Sequence, residues 1–331
     1  MKAAFIESTG AAEATIQYGD LPKPEPTGSQ VLVKVGAVAV NPIDTYLRNG
    51  ANYWELPKPF IIGCDLAGTV EAVGTQVKRY KVGDRVWGSN QGLMGRQGTF
   101  AEYCAVEEQW LYPTPTVVSD EEAAACALVG ITAHLGLFRE AKLEAGESIF
   151  VNGGTGGVGS MVVQMAKIAG ARVISTAGSE EKVKALNALG AEMALNYKKD
   201  DIAAALKQFA PSGVNVYWET VREPDFDKIV ATLGERGRMV LMAGRDARPP
   251  FPVGPFYVKG CSLHGFVMFK ATATEQRACA DDINQWFLAH KLKANISRVL
   301  PLSEAAAAHK LQEESTLQKS GGLAGKIVLK P

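Results

Sequence analysis

Residues 148–159, SIFVNGGTGGVG, decide the fold of this 331-residue chain. Residues 149–152 read as a buried strand, three glycines follow at the spacing G-x-G-x-x-G, and a helix is predicted over 160–169. A strand, a glycine turn and a helix in this order are typical of a dinucleotide-binding site, in which the backbone approaches a pyrophosphate at the helix N-terminus. A purely structural glycine turn is the alternative. The predicted cofactor-binding residues of this turn are Gly154, Thr155, Gly156, Gly157, Val158 and Gly159.

Predicted strands and helices alternate from residue 148 to residue 265. The strands are 149–152, 172–176, 193–196, 214–219, 239–242 and 262–266, with helices such as 179–189, 202–209 and 225–233 between them. This alternation predicts an α/β fold with a doubly wound, parallel, six-stranded Rossmann sheet. The apolar run 261–269 is predicted to lie at the sheet edge. Because a bare edge invites pairing, we expect a homodimer joined through this Rossmann edge strand.

The first third of the chain is rich in β-favouring runs, at 3–6, 30–40, 67–73, 85–87 and 101–105. Turn signals separate these runs, which predicts a compact barrel or sandwich. Helices are predicted over 119–129, 132–141, 274–290 and 303–314. A terminal strand at 326–329 is expected to return to the N-terminal β domain. The predicted domains are therefore 1–122 and 267–331, which form the β-rich domain, and 123–266, inserted between them.

The composition argues against several classes of function, although a local basic patch stays open. Lysine plus arginine and aspartate plus glutamate both number 35, so no excess of cations is available for nucleic acid or an anionic membrane surface. No signal peptide and no long apolar span are recognised. The five cysteines are scattered and form no C-x-x-C pair, as in reduced thiols. We expect a cytoplasmic protein with a small-molecule substrate.

Five segments together resemble the medium-chain dehydrogenase/reductase superfamily. They are NPIDTYLRNG at 41–50, GCDLAG at 63–68, VGDRV at 82–86, GGVG at 156–159 and GKIVL at 325–329. Within the superfamily the chain resembles, from residue 1 to residue 331, the zinc-independent NADPH:quinone oxidoreductases, the zeta-crystallin group. The resemblance implies a GroES-like catalytic domain, discontinuous in sequence, that holds an inserted Rossmann domain.

The end of the second Rossmann strand indicates which nicotinamide cofactor binds. NAD sites place an acidic residue about 20 positions beyond the first glycine to bind the ribose 2′-hydroxyl, whereas this chain has Ser175 and Thr176 there. Hydroxyls and a nearby lysine instead favour the 2′-phosphate of NADPH. The resembled reductases use a lysine and a tyrosine at matching positions; a solvated helix lysine and a tyrosine that closes the strand end are the alternatives. The residues assigned to this part of the site are Gly178, Ser179, Lys182 and Tyr197.

The ends of the fifth and sixth strands are also predicted to contact the cofactor, because open α/β sheets bind ligands at the carboxyl ends of their strands. The resemblance carries these contacts onto Gly244, Phe266, Val267 and Met268. After the fourth strand, residues 218–222 (WETVR) replace the small glycine-containing turn that is common in the family. This departure is expected to alter the pocket beside the nicotinamide.

The resemblance also supplies the substrate side. Zinc alcohol dehydrogenases of the superfamily bind the metal through a Cys in the first active-site loop, a His in a Gly-His-Glu motif and a later Cys. Here the loop offers Asn41 and Asp44, and Cys64 with Asp65 follows Gly63. Zinc needs three or four converging ligands. Cys64 with Asp65 or Asp44 could contribute, but no histidine lies nearby in the sequence, so no metal site is predicted. The predicted catalytic residues are Tyr46, Asn41 and Asp44, and the predicted substrate-pocket residues are Tyr53, Thr132 and His134. Asn41 setting a turn and Asp44 capping a helix are the alternatives.

These predictions converge on one reaction, the transfer of a hydride from NADPH to a quinone or to an α,β-unsaturated aldehyde or ketone. Two rival readings remain. One is a non-catalytic NADPH-binding, RNA-binding or structural crystallin-like protein, and the other is a zinc alcohol dehydrogenase.

Overall fold

The computed structural model describes residues 1–51, 54–317 and 322–331, and these divide into two units. Unit 1 comprises Met1–Leu128 and Ala271–Pro331, and unit 2 comprises Val129–Lys270. The domain boundaries drawn from the sequence, after residues 122 and 266, stay a prediction.

The first part of unit 1 consists mainly of short strands. They are β1 (Lys2–Ile6), β2 (Gln17–Asp20), β3 (Gln30–Val40), β4 (Phe60–Ile61), β5 (Asp65–Val73), β6 (Arg85–Gly88), β7 (Tyr103–Glu107) and β8 (Leu111–Pro113). The helices are α1 (Ala12–Thr15), α2 (Pro42–Arg48) and α3 (Asp120–His134), which continues past the unit boundary. The segment Asp120–Glu140 is long and apolar enough to cross a membrane by composition alone, but most of it is buried, as in a core helix.

Unit 2 alternates strands and helices. They are β9 (Ser148–Asn152), α4 (Gly157–Ile168), β10 (Arg172–Ala177), α5 (Glu180–Ala188), β11 (Met193–Asn196), α6 (Ile202–Phe209), β12 (Val214–Glu219), α7 (Phe226–Thr232), β13 (Leu233–Leu241), α8 (Val253–Val258) and β14 (Ser262–Gly265). The strands pair in parallel in the order β11-β10-β9-β12-β13-β14. The predicted doubly wound sheet is confirmed. Its strand order reverses between β9 and β12, the point at which such sheets bind ligands.

The C-terminal segment completes unit 1 with α9 (Ala273–Leu288), β15 (Ile296–Pro301), α10 (Ala305–Thr316) and β16 (Lys326–Lys330). Strand β16 pairs with β15 and, antiparallel, with β3, so the terminal strand returns to the N-terminal β sheet as predicted. The larger sheet runs β15-β16-β3-β5-β6-β8, with β7 also on β3, and a smaller sheet runs β2-β1-β4. Buried side chains of both sheets form one apolar core.

Three predicted boundaries were wrong. Helix α4 begins at Gly157 rather than at residue 160, because the glycines fit its first turn. The helices predicted over 119–129 and 132–141 are one helix, α3, which continues as a π-helical segment, Leu135–Glu140; one glycine inside a helix costs only about 1 kcal/mol. Strand β13 begins at Leu233, not at 239, and accommodates the extra residues with a shift in pairing register and a positive φ at Arg236.

Candidate functional site

In the glycine turn between β9 and α4, the space available for a side chain differs from one glycine to the next. A Cβ atom on Gly154 would lie 2.1 Å from Ser175 Oγ, and one on Gly159 would lie 2.3 Å from the Gly153 carbonyl oxygen, so packing within the protein forbids both. Gly156 is the N-cap of α4 at φ −71°, and among the described residues its Cβ would meet only the Gly153 oxygen at 3.7 Å. The protein itself therefore does not require glycine at 156. Its bare backbone suits a phosphate approaching the helix N-terminus.

The hydroxyls at the end of β10 brace this turn. Ser175 Oγ donates to the Val151 carbonyl at 2.7 Å, and Thr176 Oγ1 donates to Asn152 Oδ1 at 3.0 Å. Thr176 Oγ1 also accepts from the Gly153 N–H at 3.2 Å, and both hydroxyl side chains are buried. The prediction that these two hydroxyls are available to a phosphate was wrong, because both form hydrogen bonds within the protein.

The start of α5, which follows β10, carries both acidic and basic side chains, namely Glu180, Glu181 and Lys182. Ser179 caps α5 by accepting from the Lys182 N–H at 3.3 Å. A Cβ on Gly178 would lie 2.5 Å from Tyr197 Oη, so the phenol rests against this glycine while its side chain stays 57% exposed. Partial burial, together with the charge of Lys198, lowers the pKa of Lys182. The ammonium groups of Lys182 and Lys198 are the groups here that suit an anionic ligand, and the Glu180 and Glu181 carboxylates of the first turn of α5 lie in the same region.

A buried carboxylate marks the reversal point of the sheet. Asn152 ends β9 and Glu219 ends β12 at paired positions, and the Asn152 amide donates to both Glu219 oxygens at 3.0 and 3.1 Å. The Val221 N–H donates to Glu219 at 2.6 Å, while burial raises the pKa of this carboxyl group. Gly244, after β13, has φ +81°, and a Cβ there would lie 2.2 Å from the Arg222 carbonyl oxygen. Packing alone therefore requires glycine at 244.

Trp218 fills the interior of unit 2. It is fully buried, its ring tip would clash with a Cβ on Gly136, and it meets the Phe266 ring edge-on at 6.5 Å. Phe266 and Val267 follow β14, and buried Met268 begins a 3-10 turn. The predicted pocket residues on α3 are also nearly buried; the His134 ring packs on Phe138 at 4.7 Å. The Trp218 ring of the WETVR segment thus lies against the π-helical segment that continues α3.

In unit 1, the predicted catalytic loop forms a buried polar cluster. The Asn41 N–H donates to Asp44 Oδ2 at 2.8 Å and so closes the first turn of α2. Cys64 Sγ donates to Asp44 Oδ1 at 3.0 Å, and Asn41 Nδ2 donates to Asp65 Oδ2 at 2.8 Å. Tyr46 lies on α2 and is half-buried. The fourth predicted residue of this region, Tyr53, lies outside the described residues.

Lys326 supplies the cation of this cluster and was not predicted from the sequence. From β16, its Nζ donates to the Val40 carbonyl at 2.6 Å and to Asn41 Oδ1, and it lies 3.9 Å from Asp65 Oδ2. Burial raises the pKa of Asp44 to about 7, raises those of Asp65 and Cys64, and lowers that of Lys326. The GKIVL motif contained this lysine, but nothing in the sequence indicated that it reaches Asp65.

The chain matches two families. "Alcohol dehydrogenase GroES-like domain" matches residues 27–116, and "Zinc-binding dehydrogenase" matches residues 157–283. A quinone oxidoreductase from Lama guanicoe is 31% identical over 99% of this chain and 97% of its own length. The chain belongs to the quinone oxidoreductase family. This membership lies within the medium-chain dehydrogenase/reductase superfamily.

Other proteins that the chain resembles have names that record different cofactors and activities. The chloroplastic NADPH-dependent alkenal/one oxidoreductase of Arabidopsis thaliana is 36% identical over 76% of this chain and 64% of its own length. Among solved structures, an NAD-dependent alcohol dehydrogenase has a TM-score of 0.90 and 30% identity, with both chains fully covered. An Escherichia coli quinone oxidoreductase complexed with NADPH has a TM-score of 0.87 and 25% identity, with both chains fully covered.

The family name raises the question of zinc, and the polar cluster of unit 1 does not fit that metal. Zinc binds a thiolate, whereas the Cys64 thiol donates a hydrogen bond to Asp44 Oδ1 at 3.0 Å. The Lys326 ammonium lies 3.9 Å from Asp65 Oδ2, so this cluster already holds a cation. Within residues 1–51, 54–317 and 322–331, no three His, Cys, Asp or Glu side chains converge as metal ligands.

Proposed function

We propose that this protein is an NADPH-dependent, zinc-independent reductase of quinones or of α,β-unsaturated aldehydes and ketones. The observation that carries the proposal is Gly156, whose missing side chain serves no packing purpose and leaves the α4 N-terminus open to a phosphate. The relatives named quinone oxidoreductase and NADPH-dependent alkenal/one oxidoreductase support the substrate class.

The residues assigned to the cofactor lie at the carboxyl ends of the unit 2 strands. We assign the pyrophosphate to residues 154–159 and the 2′-phosphate to the corner formed by Gly178, Ser179, Lys182 and Tyr197. Gly244 and residues 266–268 complete the proposed cofactor site. NADPH, when bound, supplies the hydride; the protein orients it and excludes water. An ammonium and a phenol recognise a phosphate but offer no carboxylate to a 2′-hydroxyl, which favours NADPH over NADH.

On the substrate side, we assign to Tyr46 the contact with the reactants. Asn41 and Asp44 are buried and bonded, so we propose that they position α2, which carries Tyr46. Thr132, His134 and Tyr53 remain proposed pocket residues. Because Lys326 and a protonated Cys64 occupy the cluster that a metal would need, we propose that no zinc takes part.

A cofactor and acceptor panel tests the function. Purified protein is assayed with NADPH and NADH side by side, against 1,2- and 1,4-quinones, enals, enones and simple alcohols. We expect oxidation of NADPH by quinones or enones, and no oxidation of alcohols. Binding of NADPH without turnover of any acceptor would favour the alternative of a non-catalytic binding or structural protein. Activity that a chelator removes and zinc restores would support the alternative function, a zinc alcohol dehydrogenase.

We further propose a homodimer joined through β14. This strand pairs only with β13 among the described residues, and Leu263 on it and Val267 shortly after it are exposed. The helix that precedes it in the chain, α8, also exposes apolar side chains: Val253, Tyr257 and Val258. A second copy pairing edge to edge would cover both features. Light scattering should give twice the chain mass. Leu263→Lys should give a monomer, whereas Leu317→Lys, a similarly exposed leucine of unit 1, should not. A wild-type monomer would refute the dimer.

We also propose a cytoplasmic location. The five cysteines are all free and buried, which suits a reducing compartment. With equal numbers of cationic and anionic side chains, no nucleic-acid or membrane partner is proposed.

A further inference from the structure

A cavity of unit 1 is lined mainly by arginines. Its volume is about 380 Å³, which is at the lower end of the range of small-molecule sites. The connection between β5 and β6, the start of β6, the end of β8 and helix α9 form its wall. No residue assigned above to the cofactor or to the acceptor lines it. The lining residues, all of unit 1, are Arg79, Tyr80, Asp84, Arg85, Pro113 and Arg277.

Bonds within unit 1 hold two of the three guanidinium groups. Arg277 Nη2 donates to the Leu111 carbonyl at 2.5 Å, and its guanidinium carbon lies 4.9 Å from the centre of the Tyr112 ring. Arg85 Nη2 donates to Asp120 Oδ1 at 2.5 Å. The Nη1 group of each arginine forms no hydrogen bond among the described residues, so both side chains keep donors for a ligand.

The third guanidinium group, that of Arg79, takes no part in the bonding of the fold. The backbone N–H of Arg79 donates to Glu108 Oε2 at 2.9 Å, which fixes the main chain at this position. The side chain is exposed, and within the part of the chain that the structure describes it has no hydrogen bond and no ion pair. Like charges repel, so an anion between the three guanidinium groups would stabilise them.

The lining suits a phosphate group that has hydroxyls beside it. Guanidinium groups bind phosphate through paired N–H···O bonds. The three arginines come from three segments, and the three terminal oxygens of a phosphate accept from more directions than a planar carboxylate does. Asp84 is the acidic member of the lining; its Oδ2 accepts from the Lys81 N–H at 3.0 Å. Its other oxygen is free to accept from a hydroxyl, whereas its charge disfavours a bare anion.

We propose that this cavity binds a phosphorylated sugar or polyol. Arg79, Arg85 and Arg277 donate to the phosphate oxygens, and Asp84 accepts from a hydroxyl of the ligand. The proposal goes beyond the reductase function and does not rest on it, because these residues all belong to unit 1 and none of them is assigned to hydride transfer.

Isothermal titration calorimetry with ribose 5-phosphate tests the proposal, with and without saturating NADPH. NADPH would fill the phosphate sites assigned to unit 2, so the binding that remains reports on this cavity. We expect one site per chain. Arg79→Gln should weaken it about fivefold, as for a charge-assisted hydrogen bond at an exposed side chain. The melting temperature of the ligand-free variant should stay within about 1 °C of the wild-type value, because the side chain has no partner to lose.

Arg298→Gln is the matched control, because Arg298 is an exposed arginine of unit 1, on β15, that does not line the cavity. It should leave the affinity for ribose 5-phosphate unchanged. Inorganic phosphate and ribose are titrated in parallel. Inorganic phosphate should bind more weakly than ribose 5-phosphate, and ribose should not bind.

Three results would overturn the proposal. The first is the absence of saturable binding of ribose 5-phosphate. The second is binding that Arg79→Gln leaves unchanged, which would place the ligand elsewhere on the protein. The third is equal affinity for inorganic phosphate and ribose 5-phosphate, which would mean that the cavity takes an adventitious ion only.

Discussion

Replacing Lys326 by methionine should test whether its ammonium is the counter-charge of the polar cluster. The change leaves the buried Asp65 carboxylate without a cation and the Val40 and Asn41 oxygens without a donor. Removing one partner of a buried ion pair costs about 3–5 kcal/mol. Asp65 would keep its bonds from Asn41, Ser89 and the Leu128 N–H. We therefore expect a loss near the lower end, about 3 kcal/mol in the free energy of unfolding.

A double-mutant cycle with Asp65→Asn separates charge pairing from packing. In the double variant, residue 65 keeps one oxygen for Ser89 and Leu128. The Asn41 amide can rotate so that its oxygen accepts from the new amide and its nitrogen donates toward Val40. Positions 65 and 326 are then both uncharged, so the double variant should be more stable than the sum of the two single losses predicts, by at least about 1 kcal/mol.

Urea unfolding followed by far-UV circular dichroism measures each corner of the cycle. Lys330→Met is the control on the same strand, because Lys330 forms an exposed ion pair with Glu121 at 2.6 Å; it should cost less than about 1 kcal/mol. Additivity within about 0.5 kcal/mol, or a Lys326→Met loss no larger than that of Lys330→Met, would refute the reasoning.

Three further predictions concern the cofactor and pH. Gly156→Ala should leave the melting temperature within about 1 °C but weaken NADPH binding about tenfold, measured by titration, whereas Gly159→Ala should destabilise the fold by about 1–3 kcal/mol because of its clash with the Gly153 oxygen; equal effects of the two changes would contradict this. Lys182→Ala should weaken NADPH binding about tenfold and NADH binding little; parallel losses would exclude a 2′-phosphate role. Burial raises the pKa of Asp44 to about 7, so the folded protein retains a proton that the unfolded chain loses near its ordinary pKa of about 3.9. The free energy of unfolding should therefore fall as pH rises between these values and level off above about 7, and Asp44→Asn should flatten this slope in a urea-unfolding series. An unaltered slope would mean that another group carries it.

The nucleotide unit was predictable because its signals are local. The strand, the glycine turn and the helix lie within about twenty consecutive residues, and each crossover repeats the same alternation of periods. The predictions erred where local and tertiary preferences disagreed. Gly130 inside α3 resembled a helix end, and the two glycines early in β13 concealed a strand that is held by its neighbour β12.

The candidate site was harder to predict from the sequence, because its hydrogen bonds join residues that lie far apart in the chain. Ser175 and Thr176 were recognised as replacing an acidic residue, but only their bonds to β9 and the turn show that they are structural. Trp218 was recognised as a departure from the family, but only its contact with Gly136 shows where the ring lies.

By itself, the sequence determined the Rossmann sheet, the return of the terminal strand and the family, since these depend on periodicity and on motifs of a few neighbouring residues. Only the tertiary structure decided which polar groups are bonded. Lys326 meets Asn41 across 285 positions of the chain. Hydrogen bonds and charge pairs depend on distances of a few ångströms between residues far apart in sequence, and folding alone sets those distances.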